Sequence, residues 1–253
     1  MPLEIVTIPC LSDNYAYLLH DAGGGGTVLV DAPEAAPISA ELDRRGWRLS
    51  DILITHHHDD HVAGVAALRA GARVIGAAAD AQRLPPLDLA VAPGDRITVC
   101  GEEVAVIDAP GHTVGHVAYH FPATGAAMTG DSLMALGCGR LFEGTAAQMW
   151  ETLSRLAALP GQTLVCSGHE YAESNGRFAA SVDAGNAALS ERRAQIAALR
   201  AASRPTVPVT LGLELRTNPF LRTSDPAMKA ALGMAGAADA EVFAELRARK
   251  DRF

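Results

Sequence analysis

Residues 55–61, with the sequence THHHDDH, crowd imidazoles and carboxylates directly after an apolar run. Residues two apart share a face of an extended segment, so His56 and His58 are expected to point towards one centre. Asp60 and His61 follow where the next helix should begin, and they can face a second centre. Imidazole nitrogen and carboxylate oxygen without thiolate suit Zn²⁺ in a catalytic site, and also Fe or Mn. The alternative is a solvated polar turn, which the crowding of ligand types at a strand end disfavours.

Three further candidate ligands follow apolar runs, each directly after a glycine: His112, Asp131 and His169. Each one alone is typical of a cap or turn residue. Loops at one end of a scaffold are where sites are assembled, so we expect the three to join the first cluster. The full set of five His and two Asp suits two metal ions that share a carboxylate. Its members are His56, His58, Asp60, His61, His112, Asp131 and His169.

The elements that must position these residues are mostly short strands. Apolar runs bounded by turns predict strands over Glu4–Pro9, Tyr15–His20, Thr27–Asp31, Asp51–Thr55, Arg73–Gly76, Arg96–Cys100, Glu103–Asp108, His116–Phe121, Ala126–Thr129 and Thr163–Ser167. Helical patterns cover Pro37–Gly46, Val62–Ala70, Thr145–Leu159, Ala172–Asp183, Ala187–Ala202 and Asp239–Arg249, whereas Val207–Leu215 is predicted to be extended. The fold class is therefore α+β, with a sheet-rich metal-binding catalytic domain over 1–165 and a helical domain over 166–253.

Composition limits the classes of function. The 253 residues are 49% hydrophobic and 20% charged, which is typical of a soluble globular protein. The net charge of −8 disfavours nucleic acid or an anionic membrane as a partner. No apolar run approaches the roughly 20 residues that span a bilayer. The four cysteines form no CxxC and no signal peptide is apparent, so we expect a cytoplasmic protein. A monomer is also expected.

Longer motifs point to a family. The segments THHHDDHVAG, APGHTVGH, TGDSLMALGCGR and CSGHEY resemble the metallo-β-lactamase superfamily, and within it the chain is similar to glyoxalase II, the hydroxyacylglutathione hydrolases. The His-x-His-x-Asp-His element identifies the superfamily only, whereas GCGRLFEGT, NPFLR and the ending KDRF are more specific to glyoxalase II. The resemblance implies an αββα sandwich followed by a helical domain that helps to bind glutathione.

The resemblance also implies roles for the candidate ligands. The first metal would be held by His56, His58 and His112, the second by Asp60, His61 and His169, with Asp131 as the bridge. Asp60 and Asp131 would act in catalysis with a hydroxide that bridges the metals. The other four histidines are not expected to bind metal: His57 orients its loop, His116 supports its neighbours through hydrogen bonds, and His20 and His120 are structural or exposed. Asp59 is expected to point away from the metals.

Five positions resemble the glutathione-binding residues of the family: Arg140, Phe142, Tyr171, Arg247 and Lys250. Arg247 and Lys250 lie three apart in a helical stretch, so they share a face and are expected near the surface. The alternative is that these two cations only complement the C-terminal end of their helix. Phe142 stands where many relatives carry a tyrosine, so one hydroxyl contact to glutathione is expected to be missing.

The implied activity is hydrolysis of S-(2-hydroxyacyl)glutathione, chiefly S-D-lactoylglutathione to glutathione and D-lactate, as in methylglyoxal detoxification. Two divalent ions would lower the pKa of a bridging water, and Zn²⁺ is expected in preference to Fe or Mn. A thiol pKa of about 8.5 lets the leaving group depart without a strong general acid. The main alternative is a sulfur (persulfide) dioxygenase of the same superfamily, with one iron held by two His and an Asp. A β-lactamase or lactonase and a non-catalytic metal-binding protein are weaker alternatives, which the complete ligand set disfavours.

Overall fold

The computed structural model describes residues 1–253. Its strands are β1 (Glu4–Cys10), β2 (Asn14–His20), β3 (Thr27–Val30), β4 (Leu49–Leu53), β5 (Arg73–Ala77), β6 (Leu89–Val91), β7 (Arg96–Val99), β8 (Glu102–Asp108), β9 (Val117–Phe121), β10 (Ala126–Gly130), β11 (Leu133–Met134), β12 (Gly137–Cys138), β13 (Leu164–Ser167) and β14 (Val209–Thr210). Its helices are α1 (Ala35–Arg45), α2 (Asp59–Val62), α3 (Val65–Leu68), α4 (Ala146–Ala157), α5 (Ala172–Val182), α6 (Ala187–Ala201), α7 (Leu211–Thr217), α8 (Pro226–Ala231) and α9 (Asp239–Asp251). None of these helices combines the length and apolar composition needed to cross a membrane.

The chain forms two compact units. The first, which we call the sandwich unit, comprises residues 1–109, 115–130 and 166–169. The second, the helical unit, comprises residues 110–114, 131–165 and 170–253. Segments of the two compact units alternate along the chain, so they do not test the division into 1–165 and 166–253. That division remains a prediction about function.

Two sheets build the sandwich unit. In the first sheet, β1, β2 and β3 are antiparallel neighbours, and β3 to β6 continue as parallel neighbours. Helices α1 and α3 cover one face of this sheet, where Ile38 and Val65 join the buried core. In the second sheet, β7 to β10 follow one another as antiparallel neighbours. Strands β2 and β10 are buried along nearly their whole length, which fits their mostly apolar sequences.

The helical unit packs α4 to α9 around an aromatic core. Phe220 lies 5.9 Å from Phe178 and 5.6 Å from Phe243 between ring centroids. Thr145 caps α4 and forms a capping box with Gln148. Strands β11 and β12 make a short antiparallel hairpin in this unit. Parallel and antiparallel strands with segregated helices confirm the α+β class.

Two element predictions are wrong. The stretch Val207–Leu215 is extended only over β14 and then becomes α7, in which every third residue is buried: Leu211, Glu214 and Thr217. Apolar residues alternate through this stretch and imitate a strand, whereas burial follows the helical period. The single helix predicted over Val62–Ala70 is instead α2 and α3. Gly64 separates them because its N–H turns away to donate to Ala32 O at 2.8 Å.

Candidate metal centre

Within the sandwich unit, β4 runs into the histidine-rich loop and places two imidazoles together. His56 Nε2 lies 3.2 Å from His58 Nδ1. Thr55 Oγ1 donates to Asp31 Oδ2 at 2.8 Å, so its lone pair is available to accept from His56 Nδ1 at 3.0 Å. This arrangement places the proton of His56 on Nδ1 and leaves a lone pair on Nε2. His56 and His58 therefore present two nitrogen donors to one point, as predicted.

A second group in the same unit joins Asp60, His61 and His169, whose ligand atoms lie within 4.8 Å of one another. His61 Nε2 lies 3.3 Å from His169 Nε2, and His169 Nε2 lies 3.3 Å from Asp60 Oδ2. His61 is fully buried and His169 nearly so. The first turn of α2 supplies Asp60 and His61, whereas His169 follows β13. The resemblance to the family implied this trio, and the fold brings the three side chains together.

Carboxylates fix the tautomers of two of these histidines. His61 Nδ1 donates to Asp31 Oδ2 at 2.8 Å, and His169 Nδ1 donates to Asp13 Oδ1 at 3.0 Å. In the neutral imidazoles no proton then remains on either Nε2, so two lone pairs face each other across 3.3 Å. A divalent cation between the two nitrogens resolves this repulsion, and metal-bound histidines are typically oriented in this way. The donor set fits a divalent metal ion.

Asp60 is held in its anionic form. When His169 carries a proton on Nε2 as well as on Nδ1, it donates to Asp60, and this hydrogen bond comes first among the causes that keep the pKa of Asp60 well below its usual range. Asn14 Nδ2 donates to Asp60 Oδ2 at 3.0 Å and adds to the shift. The same amide donates to the main-chain oxygen of Asp60 at 3.0 Å, which fixes the turn that carries this ligand.

Within the helical unit, His112 and Asp131 form a further pair. His112 Nδ1 donates to the main-chain oxygen of Arg140 at 2.8 Å, so the lone pair of Nε2 faces Asp131 Oδ2 at 3.4 Å. A nitrogen lone pair beside a carboxylate oxygen again fits a shared cation. Both side chains are buried, His112 with 3% of its surface exposed and Asp131 with 5%.

The remaining residues of the histidine loop support it. His57 Nδ1 donates to the buried Asp80 at 3.0 Å, and the His116 ring stacks on His56 with centroids 4.8 Å apart. Asp59 is exposed, as expected for a side chain that points away. His20 stacks on Trp47 with centroids 4.0 Å apart, which is a structural role.

Sequence reasoning missed the carboxylates that orient these imidazoles: Asp31 and Asp13 behind the proposed ligands His61 and His169, and Asp80 behind His57. Asp31 directly follows β3, so it shares the strand-end position that marked His112, Asp131 and His169. Its φ of 55° is a left-handed conformation that Asp tolerates better than most residues. That position was the available signal. Asp13 lies in a turn and Asp80 in a short 3-10 helix, and neither carries a comparable signal.

The five predicted glutathione-binding residues all lie in the helical unit, with very different exposure. Phe142 is 61% exposed and Tyr171 is 39% exposed, while Arg140 is also at the surface. Lys250 is half-buried, and burial followed by the proximity of Arg247 and Arg177 lowers its pKa.

Arg247 contradicts the expectation that it lies near the surface, because only 5% of it is exposed. Its guanidinium donates to the main-chain oxygen of Cys138 at 3.1 Å and to Asp251 Oδ1 at 2.8 Å. The ring of Phe220 covers it, with 5.4 Å between the guanidinium carbon and the ring centroid. The helical period predicted that Arg247 and Lys250 share one face of α9, but it could not show which of the two side chains packs inwards.

The cysteines offer no nucleophile. All four thiols are free, and burial raises the pKa of Cys10 to about 12. Burial is also the main cause that raises the pKa of Cys100, Cys138 and Cys166. Buried thiols with raised pKa values are inert because the thiolate is the reactive form. The chemistry of the chain therefore rests on the histidines and carboxylates.

Comparison with protein families gives two matches that adjoin each other. Residues 12–169 match the model described as metallo-beta-lactamase superfamily. Residues 170–253 match the model described as hydroxyacylglutathione hydrolase C-terminus. The predicted fold, a metallo-β-lactamase sandwich with a helical C-terminal part, is confirmed.

Individual proteins agree with these matches. A hydroxyacylglutathione hydrolase from Ruegeria pomeroyi is 66% identical over 100% of both chains. Among solved structures, ETHE1 from Myxococcus xanthus has a TM-score of 0.68 at 25% identity and covers 98% of this chain and 90% of its own. The protein TTHA1623, solved in a di-iron-bound form, has a TM-score of 0.60 at 29% identity and covers 86% of this chain and 100% of its own.

Proposed function

Because the chain belongs to the hydroxyacylglutathione hydrolase family of the metallo-β-lactamase superfamily, it is a metal-dependent thioester hydrolase acting on hydroxyacylglutathione, and we propose that two divalent ions serve this reaction. The observation that carries the activity is the 66% identity over the full length of a relative with that name. The alternative of a mononuclear-iron persulfide dioxygenase is not favoured. S-D-lactoylglutathione is the substrate that we propose within this class.

The proposed ligands are the seven residues found from the sequence. The first ion would be held by His56, His58 and His112, the second by Asp60, His61 and His169, with Asp131 shared. The lone pairs that face one another within each unit support this assignment. We propose Zn²⁺ in preference to Fe or Mn, since nitrogen-rich sets with one or two carboxylates suit it.

Metal ions bound to these residues would supply a hydroxide at neutral pH and a Lewis acid for the thioester carbonyl. The chain's own part is to keep the ligands charged and oriented. Asn14 Nδ2 donates to Asp60 Oδ2 and so favours the carboxylate form that a metal ion needs. The departing thiol has a pKa of about 8.5 and needs no strong acid, which agrees with the absence of a suitable cysteine or serine partner in the proposed set.

Binding of the glutathione part is proposed for Arg140, Phe142, Tyr171, Arg247 and Lys250. Glutathione carries two carboxylates, and on a chain of net charge −8 these need local cations. The accessible Arg140 and the half-buried Lys250 suit direct contact. Arg247 already donates to Cys138 and Asp251, so we assign its influence on binding to the segment that it holds.

Three further properties are proposed alongside the activity. Four free thiols favour a reducing compartment, so we propose the cytoplasm. The chain is proposed to work as a monomer, without nucleic acid or membrane partners. The segments 1–165 and 166–253 are proposed as its catalytic and glutathione-binding parts.

The assignment of separate ligands to the two ions can be tested by substitution. His56→Ala should weaken mainly one zinc site and His169→Ala mainly the other, while each variant retains about one zinc per chain. Zinc content and hydrolysis of S-D-lactoylglutathione would be measured on the same samples. Two zinc ions retained in both variants would refute the assignment, as would one iron per wild-type chain with oxygen consumption and no hydrolysis.

A further inference from the structure

We propose that side chains of the C-terminal helices position Asp131 and His112 through hydrogen bonds to the backbone of one hairpin. This ligand hairpin comprises residues 131–140, which run from Asp131 through β11 and β12 to Arg140. The inference rests on the proposed function, because Asp131 and His112 are proposed metal ligands. It assigns a positioning role to residues of the helical unit beyond the binding of glutathione.

The turn of the ligand hairpin is strained. Leu136 is fully buried and has a φ of 57°, a left-handed conformation that leucine rarely adopts. Turns with a left-handed third residue normally place glycine or asparagine there. Such a conformation persists only where surrounding contacts fix it, so the partners of Leu136 must hold the turn in place.

Glu214 in α7 is the main partner. Its buried carboxylate accepts at Oε2 from the main-chain N–H of Leu136 at 3.0 Å and from Asn218 Nδ2 at 3.0 Å. Its other oxygen pairs with Arg192, which also donates to Thr217 Oγ1 at 2.6 Å. A carboxylate acceptor makes a stronger hydrogen bond than a neutral one, and Arg192 compensates its charge inside the unit.

Two asparagines bind the carbonyl oxygens of the same hairpin. Asn218 Nδ2 donates to Gly137 O at 3.0 Å and to Met134 O at 3.2 Å. Asn175 Nδ2 in α5 donates to Ala135 O at 3.0 Å. A side chain at position 137 would collide with Asn175, because a Cβ built on Gly137 lies 2.5 Å from its Nδ2. The Asn175 amide therefore reaches the turn only because position 137 is a glycine.

Arg247 in α9 grips the end of the second strand. It donates to Cys138 O at 3.1 Å and to Gly139 O at 3.5 Å, while Asp251 holds the other side of its guanidinium. The N–H of Leu136 and the carbonyl oxygens of Met134, Ala135, Gly137 and Cys138 thus have side-chain partners from α5, α7, α9 or the turn after α7.

The position of the hairpin determines the positions of both proposed ligands, Asp131 and His112. Gly139 N donates to Ser132 O at 3.1 Å, and a Cβ on Gly139 would overlap the main-chain oxygen of Asp131. The next residue, Arg140, provides the carbonyl oxygen that fixes the tautomer of His112. A shift of the second strand therefore moves Asp131 and the acceptor of His112 together.

Glu214→Leu is the central test, because it removes the acceptor of the strained turn without touching a ligand. We expect the folded variant to bind zinc about tenfold more weakly, as is typical when a group behind a metal ligand is lost. The turnover number on a small thioester should fall with it, while KM changes less. The measurements are zinc competition with a chelator, steady-state kinetics, and the melting temperature of the metal-free protein.

Arg249→Ala is the matched control. Arg249 also lies in α9 and pairs with Glu245 and with Leu232 O, but it makes no contact with the ligand hairpin. It should lower the melting temperature and leave zinc affinity and turnover unchanged. If Glu214→Leu behaves like this control, its role is structural only and the inference fails.

Asn175→Ala keeps the test decisive if Glu214→Leu does not fold. It removes a single hydrogen bond to Ala135 O and is expected to weaken zinc binding about threefold; unchanged zinc affinity would contradict the positioning role. Asp131→Ala, measured beside these variants, separates the two proposals. If Asp131→Ala binds zinc normally, the proposed ligand set is wrong, whereas loss in Asp131→Ala alone overturns only the positioning role.

Discussion

The two units orient their proposed ligands by different means. In the sandwich unit, His61 and His169 donate to the carboxylates of Asp31 and Asp13. In the helical unit, His112 donates to the neutral carbonyl of Arg140, which lies at the end of a hairpin held by distant helices. A carboxylate partner raises the basicity of an imidazole more than a carbonyl does. The comparison teaches that one unit tunes its ligands by charge and the other by backbone position.

This difference predicts that the ligands of the two units fail differently. Loss of an orienting carboxylate should change the electron-donating strength of a histidine at an unchanged position. Loss of a group that holds the hairpin should move Asp131 and His112 together.

The largest effect is expected from Asp131→Ala. A shared carboxylate serves both proposed ions, so its removal should reduce zinc content below one per chain and turnover by at least about 100-fold. Zinc analysis and hydrolysis of S-D-lactoylglutathione provide the test. Two bound zinc ions with full activity would show that Asp131 is not the shared ligand.

The next effect is expected from Asp31→Asn, which keeps the shape of the side chain but removes its charge. Asp31 is buried and accepts from Thr55 and His61, so we expect zinc affinity to fall by about 10- to 100-fold. Asp13→Asn should act less, because the Asp13 side chain is 39% exposed and partly screened. The exposed Asp59→Asn serves as a control without effect. Equal losses from all three variants would point to net charge instead of orientation.

Lys250→Ala and Arg247→Ala separate substrate binding from positioning on one helix. Removal of a charge-assisted hydrogen bond costs about 1.5–3 kcal/mol, so Lys250→Ala should raise KM for S-D-lactoylglutathione about 10-fold or more and leave a small thioester unaffected. Arg247→Ala should slow both substrates, because it releases Cys138 and Gly139. Identical behaviour of the two variants on the small thioester would remove the distinction.

The smallest effect is expected from Phe142→Tyr. The side chain is 61% exposed, and a hydroxyl added there can donate one neutral hydrogen bond to glutathione. Such a bond contributes about 0.5–1.5 kcal/mol, which at this exposure corresponds to a KM about threefold lower. Turnover and zinc content should stay the same. An increase in KM would mean that the aromatic edge itself, not a missing hydroxyl, serves the substrate.

The sequence allowed the proposed ligands to be identified because they follow apolar strands, and strand ends are visible as patterns. The same rule could have identified Asp31 after β3. It could not identify Glu214, Asn218 or Asn175, because their role depends on contacts with residues 40 to 84 positions away. Glu214 in particular lies in a stretch whose alternation imitates a strand, so neither its helix nor its burial was predicted.

The most direct test of the dinuclear account is a titration of metal-free protein with zinc, following hydrolysis of S-D-lactoylglutathione at each addition. Zinc bound per chain would be determined on the same samples. The account predicts that activity rises until two equivalents are bound, and that Asp131→Ala never reaches this plateau. Full activity at one equivalent, or a plateau reached equally by Asp131→Ala, would contradict it.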